Sequence, residues 1–134
     1  MIDHHTALIY TMVVMAAADR DMTDAELKTI GEMVQFLPVF KDYDLSRLTQ
    51  AAEDVAGLLE GEDGLDELLD IVEEALPEKL HETAYALACD VAAADLKISQ
   101  EELRLLEMMR HRLAVGRLPA AAIERATRAR HMVV

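Results

Sequence analysis

"AAADRDMTDAEL" at residues 16–27 returns as "AAADLKISQEEL" at residues 92–103, 76 positions later and without a gap. Six of the twelve positions are identical, three of them alanines that any Ala-rich helix could share. The informative part lies just beyond each aspartate: Thr23 with Glu26 three positions on, and Ser99 with Glu102. This spacing forms a capping box, in which the hydroxyl accepts the N3 backbone N–H and the glutamate returns to the N-cap N–H. Helices are therefore predicted to begin near Thr23 and Ser99, each entered from the end of another helix.

Working outward, Ala7 to Ala18 is almost unbroken in apolar residues, and Thr83 to Ala94 repeats this apart from Asp90. Helices apolar all round belong in the middle of a bundle, so these two are expected to form the central pair, brought close by their alanines. "LKTIGEMVQFL" and "LRLLEMMRHRL" continue the capped helices with amphipathic spacing. A third helix is expected from about Asp44 to Glu60, an acidic one between Gly64 and Pro77, and a last one from Pro119. The reading is an all-α, compact bundle of about seven helices. It forms one domain over 1–134, with an internal duplication of a three-helix unit: repeat 1 about 5–60, an acidic connecting helix about 64–75, repeat 2 about 81–131.

Composition agrees with this class. Aromatics are 4% with no Trp, so the core is built from Ala, Leu, Val, Ile and Met, which favour helices. The lone Cys89 cannot form an internal disulfide and fits a reducing cytoplasm as a small buried hydrophobe. No apolar stretch reaches the length of a membrane span and no signal peptide is evident, which makes a soluble, unexported protein the expectation. A net charge of −13 argues against nucleic acid as principal partner. The charge is uneven: Glu53 to Glu78 holds eleven acids and no Lys or Arg, whereas Arg104 to Arg130 holds seven arginines against Glu107 and Glu124.

The hinge aspartates raise the chemical question. Asp19 and Asp95 are predicted near helix C-termini, where the partial negative charge of the helix dipole disfavours a carboxylate. One answer is local, an aspartate accepting a backbone N–H in the turn. The other is a cation: with the central helices side by side, Asp19, Glu26, Asp95 and Glu102 converge, with Asp21 added from the first hinge and Lys97 in its place in the second. Such hard oxygen donors suit calcium, magnesium or manganese better than zinc. The first hinge is not an EF-hand, since Asp24 and Ile30 occupy the positions that require glycine and a bidentate glutamate. The glutamates are also engaged in their capping boxes, so both answers stay open.

An Ala-rich helix ending in Ala-x-x-Asp, a short turn, then Ser/Thr and Glu-Leu, repeated in a helical domain of this length, resembles the tellurite-resistance TerB family over residues 5 to about 131. It also resembles the related N-terminal module of a membrane-anchored DnaJ-type co-chaperone. The resemblance implies a duplicated helical bundle, a link to tellurite and other stress responses, and a metal site carried by Asp19 and Glu26 from one hinge and Asp95 and Glu102 from the other. Family members often place Gly directly after the hinge aspartate, where this chain has Arg20 and Leu96.

The remaining residues are expected to be structural. His4, His5 and His81 lie at helix starts, about four turns from the hinge aspartates, too far to share their site. Asp90 needs an Arg or Tyr partner from a neighbouring helix, with Tyr10 and Tyr85 as candidates. Met12, Met15, Met33, Met108 and Met109 are core filler. No nucleophile, phosphate-loop or zinc-protease motif occurs, so no enzyme is expected. Two partner readings remain: a cation at the hinges, or a metal-independent adaptor using the acidic 53–78 face or the Arg-rich C-terminus toward an unidentified protein. Neither nucleic acid nor membrane insertion is expected, and homo-oligomerisation is left open.

Overall fold

The computed structural model describes residues 1–18, 22–94 and 97–134. Among these are seven α-helices and no strand: α1 (His4–Ala16), α2 (Asp24–Phe36), α3 (Leu48–Leu59), α4 (Gly64–Ala75), α5 (His81–Ala92), α6 (Gln100–Arg112) and α7 (Arg117–Arg130). Single 3-10 turns at Pro38–Phe40, Leu45–Arg47 and Glu78–Leu80 connect them.

The two apolar runs become α1 and α5, which pack on each other at the centre. Every residue from Thr6 to Ala16 is buried, as an all-round apolar helix requires. Thr11 is satisfied there by donating its hydroxyl to the Ala7 carbonyl at 2.9 Å. Around this axis α2, α3 and α4 pack on α1, while α6 and α7 pack on α5. The capped helices also cross the seam, α2 reaching α5 and α6 reaching α1. Met12, Met15 and Met109 are buried in the core, and Met33 and Met108 pack at its edge. Burial pushes the Cys89 thiol up to about 12, so it stays a neutral thiol.

Three details differ from the sequence reading. The third helix begins at Leu48, because Asp44 caps a 3-10 turn by accepting from the Ser46 N–H at 3.0 Å. The last helix begins at Arg117, placing Pro119 in its first turn, where the missing N–H costs nothing. Asp90 has the arginine partner expected from a neighbouring helix, Arg130 of α7 at 2.7 Å, with His131 at 3.3 Å beside it; the difference is that neither candidate tyrosine reaches it. The two tyrosines point to other carboxylates: Tyr85 donates to Glu124 at 2.6 Å and Tyr10 to Asp54 at 3.4 Å.

Candidate functional site at the seam of the capped helices

Both predicted capping boxes are present. Thr23 Oγ1 accepts from the Glu26 N–H at 3.1 Å, and Glu26 Oε1 accepts from the Thr23 N–H at 3.0 Å and from its hydroxyl at 3.0 Å. Ser99 Oγ accepts from the Glu102 N–H at 3.1 Å, and Glu102 Oε1 accepts from the Ser99 N–H at 3.1 Å. The approaches match as well: Ala17 and Ala93 end α1 and α5 at φ −90°, ψ −2° and φ −86°, ψ −4°. Thr23 and Ser99 then enter α2 and α6 at φ −82°, ψ 158° and φ −72°, ψ 163°.

Because each capped helix crosses to the opposite central helix, the start of α2 meets the start of α6. Glu26 and Glu102 are each only 2% exposed, and among the described residues neither has a basic partner, which is unusual for a buried carboxylate. Burial pushes the Glu102 carboxyl up to about 7; the Ser99 N–H opposes this, and the adjacent Glu26 carboxyl adds to it. Among the described residues, the spare oxygen Glu102 Oε2 is buried and meets no hydrogen-bond donor. Two like-charged groups in one dry place require a shared proton or a cation. The positive ends of α2 and α6 help, but a helix terminus carries only about half a charge.

Of the five residues proposed from sequence, the fold brings Glu26 and Glu102 together; Asp19, Asp21 and Asp95 lie outside the described residues. Among the described residues no three His, Cys, Asp or Glu side chains converge on a point that would hold an ion. The histidines have structural partners elsewhere. His5 donates from Nε2 to the Val39 carbonyl at 2.7 Å, and the His81 ring lies 3.0 Å from the Leu113 carbonyl. Each ties the start of a central helix to the segment after a capped helix. Sequence reasoning missed the Tyr85–Glu124 bond, whose partners are 39 positions apart with no motif joining them.

The chain is thus an all-α bundle on two buried alanine-rich helices, with capping boxes that bring paired carboxyls to their seam. The family model described as tellurite resistance protein TerB matches residues 5–126, and the chain belongs to the TerB family. No curated protein and no solved structure matches it.

Proposed function

We propose that this chain is a non-enzymatic TerB module that holds a divalent cation between its two hinges. One observation carries the reading: in the buried Glu26–Glu102 pair, Glu102 Oε2 meets no donor among the described residues. An orphaned buried carboxylate oxygen fits a cation, and Asp19, Asp21 and Asp95 complete the donor set from the adjoining hinge positions. An all-carboxylate set suits calcium, magnesium or manganese better than zinc. Bound there, the ion supplies positive charge that relieves the like-charge pair and ties α2 to α6. The matched hinge dihedrals support a duplicated three-helix unit with one half-site in each copy. The family description supports a setting in tellurite resistance or a related stress response, and the lone buried Cys89 suits the cytoplasm.

Calorimetric titration of chelator-treated protein with calcium, magnesium, manganese and zinc tests this. The expected result is saturable binding and a raised melting temperature, since a ligand of the native state must stabilise it. Both effects should vanish in Asp19→Asn/Asp95→Asn and in Glu102→Gln. No heat and no change in melting temperature with any of the four ions would overturn the reading.

A second reading rests on a separate observation: all eleven acids between Glu53 and Glu78 are exposed. It makes the module an adaptor that presents this face to a basic partner, or its arginine-rich C-terminus to an acidic one. Charge reversal at Asp66, Glu67 and Asp70, or at Arg125, Arg128 and Arg130, then abolishes capture of the partner while hinge variants do not. Capture unchanged in both surface variants removes it.

A further inference from the structure

Among the described residues, α7 has one substantial packing partner, α5, whereas each of the other six helices packs on at least two. The apolar part of that contact is small. Ala120 and Thr127 are the buried residues of α7, and Ile123 is half-buried against the core. Hydrophobic stabilisation scales with the apolar area removed from water, so a helix seated on one alanine and part of an isoleucine gains little from it.

Polar bonds supply the rest. Near the middle of α7, Glu124 accepts from the Tyr85 hydroxyl at 2.6 Å. At its far end Arg130 donates to Asp90 at 2.7 Å, and the His131 ring lies 3.3 Å from the same carboxylate. Glu124 and Arg130 are exposed, so water takes over as their partner when these bonds open, which keeps the cost of release low.

The near end is built differently. Leu113 and Val115 are buried, and the Leu113 carbonyl lies 3.0 Å from the His81 ring, so the exit of α6 is anchored to the core. Gly116 comes next; it is exposed and starts α7 without a side-chain cap. A glycine there turns freely, and a segment with few buried apolar contacts is the kind that opens apart from the rest of a fold.

We infer that α7 is a strap that releases from α5 as one unit, pivoting at Gly116, while the six-helix core stays folded. The Tyr85–Glu124 and Asp90–Arg130 bonds are its latch. Release uncovers the α5 face that carries Tyr85 and Cys89, which are 3% and 4% exposed with the strap closed. Access to that face is thereby conditional on the latch, independently of the hinge carboxyls.

Native-state hydrogen exchange, with iodoacetamide labelling of Cys89 in parallel, tests the inference. Backbone amides across 121–129 should share one protection factor to within about threefold, at least about thirtyfold below the central amides of α1. Arg130→Gln should speed exchange across 121–129 and labelling of Cys89 by the same factor, about three- to tenfold. Ile30→Val lies in α2, which does not pack on α7, and weakens the core equally in the closed and released chains. It should speed exchange in α1 by about two- to tenfold and leave α7 and Cys89 unchanged. Both substitutions are mild, and circular dichroism checks that each variant folds. Equal protection in α7 and α1, or equal acceleration of both by Ile30→Val, would show that α7 leaves only when the whole chain unfolds and would overturn the inference. So would protection graded from Arg130 inward, the mark of fraying, or Cys89 labelling indifferent to Arg130→Gln, the mark of a thiol reached with the strap closed.

Discussion

The two ends of the bundle treat the same local plan differently. In the first half α3 lies on α1 and is itself packed by α4; in the second, α7 lies on α5 and, among the described residues, no helix packs on α7 as α4 packs on α3. The residues that flank the hinges, Ala17 with Ala93 and Thr23 with Ser99, agree closely in dihedrals, and both capping boxes form, so the helix ends on either side follow one local plan. The contrast lies in what packs outside it. Where α4 is present, Leu68, Leu69 and Val72 are buried and the core extends outward. In the second half α6 and α7 part over α5, and Ile98, Leu103, Met132 and Val133 remain exposed. A short capped hinge can thus set a local geometry twice without setting the surface around it.

The largest effect is expected where the halves differ most, at the joint between α3 and α4. A Cβ added at Gly64 would collide with the Leu58 carbonyl oxygen and lie 2.9 Å from Leu59 Cα, all backbone that cannot swing aside. Gly64→Ala should cost about 3 kcal/mol in chemical denaturation, at the upper end of overpacking. Gly57→Ala within α3, where an added methyl meets nothing within 4 Å, should instead be neutral or stabilising by up to about 1 kcal/mol. Equal effects at the two glycines would show that the α3–α4 joint is not tightly built.

The next effect tests the shared seam by pH. The Glu102 carboxyl titrates near 7 in the folded chain against an ordinary value of 4.5. Between these values the folded state binds more protons than the unfolded, so stability falls as pH rises. Chelator-treated protein should therefore lose of order 2 kcal/mol between pH 4.5 and pH 8 through this group, and Glu102→Gln should flatten that loss. Melting curves at pH 5 and pH 8 decide it. A wild-type slope no steeper than the variant's would sink the assignment.

How much was legible in the sequence depends on how local each feature is. "TDAE" and "SQEE" name their own bonds, because a capping box closes within four residues. The central pair was legible because burial on every side leaves no polar face to hide. The meeting of Glu26 with Glu102 was legible only by assuming that the two units pack about a pseudo-twofold, since no local pattern says which helix starts adjoin. Asp90 announced a need for a partner but not its identity. That depends on how far α7 runs, and its last turn brings Arg130 rather than a tyrosine. The gap between α6 and α7 had no signal at all: Leu103 and Leu106 read like any amphipathic face, and how far α6 and α7 part over α5 is set by packing that no local pattern reports.

A smaller effect separates the two tyrosines that tie a central helix to its outer helix. Tyr85 is 3% exposed and donates at 2.6 Å to Glu124; Tyr10 is 5% exposed but reaches Asp54 only at 3.4 Å. A short bond to a carboxylate is the stronger kind, reduced here because Glu124 is exposed. Tyr85→Phe should cost about 1 to 1.5 kcal/mol and Tyr10→Phe less than about 0.5 kcal/mol by urea denaturation. The reverse order would mean that burial of the ring, not the hydroxyl bond, sets the difference.

The smallest expected effect lies after the two capped helices, where each half contains, among the described residues, one non-glycine residue at positive φ: Asp42 at 67° and Ala114 at 52°. In the second half the cause is helix termination. The Ala114 N–H donates to the His111 carbonyl at 3.1 Å and the Val115 N–H to the Arg110 carbonyl at 3.0 Å, closing the end of α6 with a left-handed residue. Alanine pays a Cβ clash in that conformation that glycine does not, whereas aspartate tolerates it better. Glycine also raises the entropy of the unfolded chain, which takes back part of the gain. Ala114→Gly should therefore stabilise by about 0.5 kcal/mol, and Asp42→Gly by less or not at all. Thermal denaturation of the two variants side by side reads the difference directly. If Asp42→Gly gains as much as Ala114→Gly, the side chain at positive φ is not what distinguishes the two turns, and the second half is no more strained than the first.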